Sequence, residues 1–394
     1  MSGDFEQAKS RVCQSEGAYV SVRPLASSWE QRKLGEVALV TMGQSPNGAC
    51  YTDNPNDAVL VQGNADLKDG WVSPRVWTTE VTKTAKAGDL IMSVRAPVGA
   101  MGKTAYDVVL GRGVAGIAGN EFLFQALSKK EAEGYWSTVS AGSTFDSING
   151  DELRNTLVDC PRSELECETI GDCLSKVDSL ITLHQRKYDK LAQLKKSMLD
   201  KMFPKPGERF PTIRFAGFTD PWEQRKLGEL LLFQNGFNGS SESFGSGIPL
   251  ISVMDVLDDK FITHETVRGK ARLNCEEASR YCVEYGDVLF QRSSENQEDA
   301  GTSNVYLDQH VSSAFGGFVI RGKKVGEYNP IFIKYLLGSP FIREQITHRA
   351  QGAQHINVSQ DTLADVVLLT PSMREQEAVG LVFLHLDNLI TLHQ

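Results

Sequence analysis

Long apolar runs are missing from this 394-residue chain. No stretch approaches the roughly 20 residues that a membrane-spanning helix needs. Residues Met1 to Ser28 also lack the continuous apolar core of a signal peptide, so the expected address is the cytosol. Cysteine is sparse and unpatterned. The seven (Cys13, Cys50, Cys160, Cys167, Cys173, Cys275, Cys282) include no CxxC pair and no zinc-ligand spacing. An odd count fits a reducing compartment, with packing as the expected role. Positive charge is in deficit, 41 Lys and Arg against 50 Asp and Glu, a net charge of −9. That argues mildly against binding a phosphate backbone, although local clustering can offset a negative total.

Catalytic motifs are as scarce. Met101-Gly102-Lys103-Thr104 has the ending of a phosphate loop, which would make the chain a nucleotide hydrolase. The full Gly-x4-Gly-Lys-Thr pattern needs glycine at 97, where Pro97 stands without an N–H to offer phosphate. No Asn/Asp-Pro-Pro-Tyr/Phe motif of the methyltransferase type occurs. The 41% hydrophobic content suffices for packed cores, and the length predicts two or three domains.

What is present is a duplication. Trp29-Glu30-Gln31-Arg32-Lys33-Leu34-Gly35-Glu36 recurs unchanged as Trp222 to Glu229. Val177-Asp178-Ser179-Leu180-Ile181-Thr182-Leu183-His184-Gln185 returns, nearly intact, as Leu386 to Gln394. The chain therefore reads as two copies of one unit, with preserved ends and divergent middles. In the middles, Gly88-Asp89-Leu90-Ile91-Met92 corresponds to Gly286-Asp287-Val288-Leu289-Phe290, each a turn feeding a buried strand. Val59-Leu60-Val61, Val108-Val109-Leu110 and Phe318-Val319-Ile320 read as further short strands between long loops. Ala141 to Thr144 followed by Ile148-Asn149 corresponds loosely to Gln351 to Gln354 followed by Asn357-Val358.

Each copy ends in a helix. Ser163 with Glu166, and Ser372 with Glu375, have the spacing of capping boxes just after Pro161 and Pro371. Apolar residues then recur at three- and four-residue steps: Leu174, Val177, Ile181, His184, Tyr188, Leu191, Met198 and Met202 in the first, with Phe383, Leu386, Ile390 and His393 in the second. A stripe that narrow is a seam for another helix, and the internal copy is the natural partner. Pro204 and Pro206 close a first helix of roughly 58 Å at about 1.5 Å per residue. His184 and His393 on that seam are expected to be packed and satisfied by a neighbour rather than to hold a metal. The lysines 187, 190, 195, 196 and 201 could face phosphate, an acidic protein or water.

The doubled octapeptide, the helices carrying Leu-Ile-Thr-Leu-His-Gln and the run from Arg186 to Pro204 resemble the specificity subunit of type I restriction-modification systems. The match covers nearly all of residues 29–394. The resemblance implies an α+β fold: two strand-rich target-recognition domains related by an internal pseudo-twofold repeat, separated by long antiparallel conserved helices. Its parts would be a lead-in 1–28, a first recognition domain 29–160, a central helix 161–204, a linker 205–221, a second recognition domain 222–370 and a distal helix 371–394. It further implies a non-catalytic DNA-reading subunit, each domain taking one half of a bipartite sequence in double-stranded DNA while the helices set the gap. Methyltransferase subunits would dock on the helices and methylate adenine, and motor-nuclease subunits would join to cut. S-adenosylmethionine, ATP and magnesium would belong to those partners, with no cofactor in this chain and no membrane.

Two departures carry expectations. Cys167 stands where the second copy has Gln376. Nothing after Gln394 matches Arg186 to Phe203, so the second helix is expected to be short by about 18 residues, roughly 27 Å, leaving Tyr188, Leu191 and Met198 exposed. The corresponding alternative is a truncated subunit that reads a single half-site. Expected DNA contacts, chosen because Arg, Lys and hydroxyls suit guanine edges and phosphates while Asn and Gln suit adenine, are Arg75, Lys83, Lys86, Arg95, Lys103, Arg112, Ser143 and Thr144 in the first copy. In the second they are Arg268, Lys270, Arg272, Arg292, Gln354, His355 and Asn357.

Overall fold

A computed structural model describes residues 29–140, 147–350, 352 and 355–393. The chain forms two compact units that divide between Ile181 and Thr182. Each is mixed helix and sheet, and each is closed by the octapeptide. In the first unit the strand Trp29–Lys33 pairs antiparallel with Leu157–Pro161, Trp29 opposite Pro161 and Lys33 opposite Leu157. In the second, Glu223–Lys226 pairs in the same sense with Val367–Thr370. The next residues turn once into Leu34–Val37 and Leu227–Leu230, burying Leu34 and Leu227 completely. First and last strands of each unit are thus clasped immediately before its terminal helix.

The sheets repeat as well. The first unit orders Leu39–Met42, Val114–Ala118, Leu90–Ser93 and Met101–Lys103 side by side, all antiparallel. The second orders Leu231–Asn235, Val319–Lys324, Val288–Gln291 and Ser303–Val305 likewise. The expected turn-fed strands, Leu90–Ser93 and Val288–Gln291, lie at the middle of these sheets with every residue buried. Such strands have both faces covered, which explains their unbroken apolar runs. A second sheet in each unit contains one parallel pair, Ala58–Val61 with Val108–Leu110 and Phe244–Ile251 with Ala314–Phe315. One expected strand starts late: Phe318 stays in the preceding turn, and the strand runs Val319–Lys324. Gly102 and Lys103 lie in strand Met101–Lys103, not in a phosphate-binding loop.

The long helix is Glu164–Lys201 and the distal one Met373–Leu392. Of their expected capping boxes only the serine half of the first forms, the Glu166 N–H donating to Ser163 Oγ at 3.4 Å, and the glutamates make a different contact. The Trp29 indole N–H donates to Glu166 at 3.2 Å, and the Trp222 N–H donates to Glu375 at 3.3 Å. Glu375 also takes both arms of the Arg214 guanidinium, at 2.7 and 2.8 Å, and Ser372 makes no side-chain cap. The departure at Cys167 is accommodated, since its thiol donates to the Pro161 carbonyl as the Gln376 amide donates to that of Pro371. Glycine brings each helix close to its unit: a Cβ on Gly171 would lie 2.7 Å from the backbone nitrogen of Phe122, and one on Gly380 3.0 Å from that of Phe332.

Within the second unit the distal helix runs antiparallel to the second half of the long one. His393 meets His184, Asp387 pairs with Lys195 at 2.5 Å, and Phe383 stacks on Phe203 with centroids 5.7 Å apart. This corrects the expected exposure. Tyr188, Leu191 and Met198 are half-buried, while Leu174, Val177 and Ile181 are exposed. In an antiparallel pair, Met373–Leu392 can lie only along residues near 184–203, so the uncovered part of the seam is the earlier one. The cysteine reading also changes: Cys160 is buried, but Cys173 and Cys275 are exposed.

The duplicated Trp–Glu contact is unequal, which makes it testable. Glu375 is 1% exposed, so Glu375→Ala strands Arg214 and the Trp222 N–H and is expected to cost about 3–5 kcal/mol in urea unfolding of the second unit. Trp29 is 47% exposed, and Glu166→Ala is expected to cost under about 1 kcal/mol.

Candidate nucleic-acid interface

Where the central strands end, loops are hydrogen-bonded into a cluster, and the cluster repeats. After Leu90–Ser93, Val94 donates to the Gly113 carbonyl at 2.9 Å and accepts from Ile148 at 3.0 Å. After Val288–Gln291, Arg292 donates to the Phe318 carbonyl at 2.9 Å and accepts from Val358 at 3.0 Å. Arg95 bridges to Ser147 as Ser293 pairs with Asn357. A further loop joins each: Ser45 Oγ accepts from the Arg112 backbone at 3.1 Å, and Phe237 donates to the Phe315 carbonyl at 2.9 Å. With the backbone fixed in this way, side chains project from a rigid platform, the usual setting for recognition.

The structure separates the expected contacts by what already holds them. In the first unit Lys83, Arg95 and Arg112 are exposed and make no ion pair among the described residues. Arg95 and Arg112 belong to the loop cluster, and the Lys83 carbonyl accepts from Leu110 at the adjoining strand. Three others have internal partners. Arg75 is bound to buried Asp66 at 2.8 Å. Lys86 pairs with Asp107 at 2.7 Å, a hydrogen bond that raises the lysine and lowers the carboxyl from their ordinary pKa values. Lys103 pairs with Glu121 at 2.9 Å, lies over Trp71 and Phe124, and is mostly buried. Ser143 and Thr144 lie outside the described residues.

In the second unit Lys270 is exposed and without an ion pair among the described residues. Arg292 is half-buried against the turn, its guanidinium donating to the Gly317 carbonyl at 3.4 Å. Arg268 bonds to Asp258 at 2.5 Å and approaches Asp255 at 3.9 Å, so it braces the fold much as Arg75 does. Arg272 donates to Ser246 at 2.7 Å. Asn357 accepts from Ser293 and donates to the His355 carbonyl, so its amide is engaged, while the His355 side chain is exposed. Gln354 lies outside the described residues. Sequence reasoning missed Phe318, 70% exposed at the turn. The signal was available in the Gly316-Gly317 pair before it, which marks a turn rather than a strand.

The helical seam is a second candidate surface. Phe383 and Leu386 are buried in the core of the second unit, with Leu191 and Met198 packed on it and Ile390 half-buried. His184 and His393 satisfy each other through Nδ1 atoms 3.0 Å apart with ring centroids 4.9 Å apart, His184 exposed and His393 half-buried. Among the described residues no three His, Cys, Asp or Glu stand together as metal ligands.

Residues 26–193 match the family model of the type I restriction modification DNA specificity domain. That stretch is similar to such a domain. It is 27% identical over 186 residues to the putative type I restriction enzyme MjaX specificity subunit of Methanocaldococcus jannaschii, a match covering 45% of this chain and 43% of that one. With the MjaVIII specificity subunit of the same organism it shares 21% identity over 387 residues, 92% of this chain and 87% of the relative. The fold is similar to the type I restriction-modification system S subunit from M. genitalium, with TM-score 0.54 and 14% identity over 93% of this chain and 91% of that one. No helix among the described residues is long and apolar enough to cross a membrane.

Two outcomes follow for these surfaces. If the free cations meet phosphate, Arg95→Ala and Lys270→Ala each lower the slope of log affinity against log salt by about 1, measured by duplex titration; Lys103→Ala leaves the slope unchanged. His393 is held below the ordinary imidazole value, chiefly by desolvation, then by the charges of His184 and Lys187. The unfolded chain therefore binds the proton more readily, so this contribution to stability is intact above about pH 6.5 and declines as pH falls below it. Hydrogen exchange of residues 386–393, corrected for intrinsic rate, should accelerate at pH 5.5, and His393→Gln should remove that dependence.

Proposed function

We propose that the chain is the DNA specificity subunit of a type I restriction-modification complex, each unit reading one half of a bipartite duplex target. What carries this reading is the loop cluster built at the same place on the same sheet in both units, one of them similar to the specificity domain. Two weak readers joined in one chain make the second contact intramolecular, which multiplies affinity. The helix Glu164–Lys201 passes from one unit to the other without a break, and its role is to set the gap between half-sites. A continuous helix is a stiff connector where a glycine-rich linker is not.

The chain reads and assembles; it does not catalyse. Methyltransferase subunits that modify adenine dock on the helical seam, where Leu174, Val177 and Ile181 offer uncovered apolar surface. Motor-nuclease subunits complete the assembly. S-adenosylmethionine, ATP and magnesium act in those partners.

Mapping methylated adenines in cells with and without the gene tests this. The expected result is one gene-dependent motif in two parts separated by a fixed gap. A gene-dependent motif that is contiguous would refute the bipartite reading, and no gene-dependent methylation would refute the role itself.

A further inference from the structure

The same three-residue turn stands in both loop clusters and carries opposite chemistry. In the first unit it is Gly111-Arg112-Gly113, in the second Gly316-Gly317-Phe318, and each leads directly into the long strand that follows. The hydrogen bonds match position for position. Val114 donates to the Gly111 carbonyl as Val319 donates to that of Gly316, and the third residue accepts from the neighbouring loop in both.

Each turn displays one side chain, with glycine at its other two positions. A Cβ on Gly113 would lie 2.1 Å from the Gln62 carbonyl oxygen, and one on Gly317 would lie 1.7 Å from Asn238 Oδ1. The first turn therefore shows only Arg112, exposed and free of ion pairs among the described residues. The second shows only Phe318, which is 70% exposed although its backbone is fixed on both sides. Beside Phe318 opens a cleft of about 760 Å³, walled by Phe237, Phe244 and Leu250, with Lys270 on its lining. A large apolar side chain held rigidly in water is poised for an apolar partner, and the lysine beside it, without an ion pair among the described residues, suits a polyanion.

We propose that the two units read their half-sites by different means: Arg112 by hydrogen bonds to guanine, and Phe318 by apolar contact with a thymine of an A·T pair. The inference rests on the reading that the chain binds DNA. Arginine pairs bidentately with guanine O6 and N7, whereas an apolar side chain distinguishes thymine by its methyl group. The half-site of the second unit accordingly contains an A·T pair that Phe318 specifies, and that of the first contains a guanine that Arg112 specifies.

The test selects randomised duplexes on the full chain assembled with the methyltransferase subunits of its own system. Wild type is expected to enrich a two-part motif. Phe318→Ala should lose the preference for one A·T pair in one part by about tenfold, and Arg112→Ala should lose a guanine in the other part by a similar factor. Replacing that thymine by uracil should weaken wild type and leave Phe318→Ala unaffected. An unaltered motif with Phe318→Ala, or indifference of wild type to uracil, overturns the inference while leaving the two-part reading intact. Failure of wild type to enrich any motif overturns both.

Discussion

One closure, made twice, underlies the architecture: the octapeptide pairs as a strand with the last strand of its unit, and its tryptophan hydrogen-bonds to the first-turn glutamate of a terminal helix. It joins the beginning of each unit to its end. Trp29 with Glu166 makes this contact near the surface, and Trp222 with Glu375 and Arg214 makes it in the core. The clasp leaves the chain between its ends free to vary, since closure does not depend on what lies in the middle. That is why eight residues can be identical while the sheets between them differ in length and sequence.

The middles nevertheless reproduce one topology, and topology decides where a binding surface can form. Four antiparallel strands in the same order bring the same loops together in each unit, and backbone hydrogen bonds lock those loops to one another. The displayed side chains are then free to differ. Arg95 and Arg112 make one cluster cationic, whereas Arg292 beside Phe318 and Lys270 makes the other mixed. A net charge of −9 is compatible with this, because acidic residues such as Asp66, Asp107 and Glu121 neutralise cations within the fold, while a few where the loops meet make no ion pair among the described residues.

Charge alone was the weakest guide in the sequence. Of the lysines and arginines expected to meet DNA in the first unit, half proved to be internally paired, and nothing local distinguishes Lys103 from Lys83. The partner of Lys103 is Glu121, brought near only when strand and helix pack. Apolar residues mislead in the opposite way. Phe318 precedes two buried β-branched residues and reads as part of their strand, yet it is turned into solvent because its neighbours form a turn. The uncovered stretch of the seam was likewise misplaced until the antiparallel pairing fixed which half of the long helix is covered.

The sequence by itself determined the duplication, the strand-rich middles, the two helices and their shared seam, because identical ends and hydrophobic periodicity are properties of the chain read one segment at a time. It also carried the resemblance to type I specificity subunits, through the doubled octapeptide. Tertiary structure alone decided that the first-turn glutamates hold tryptophans, which cations are internally paired, and which loops share a surface. Those outcomes depend on groups far apart in the chain, such as Trp222 and Glu375 or Gly317 and Asn238, whose proximity no local pattern records.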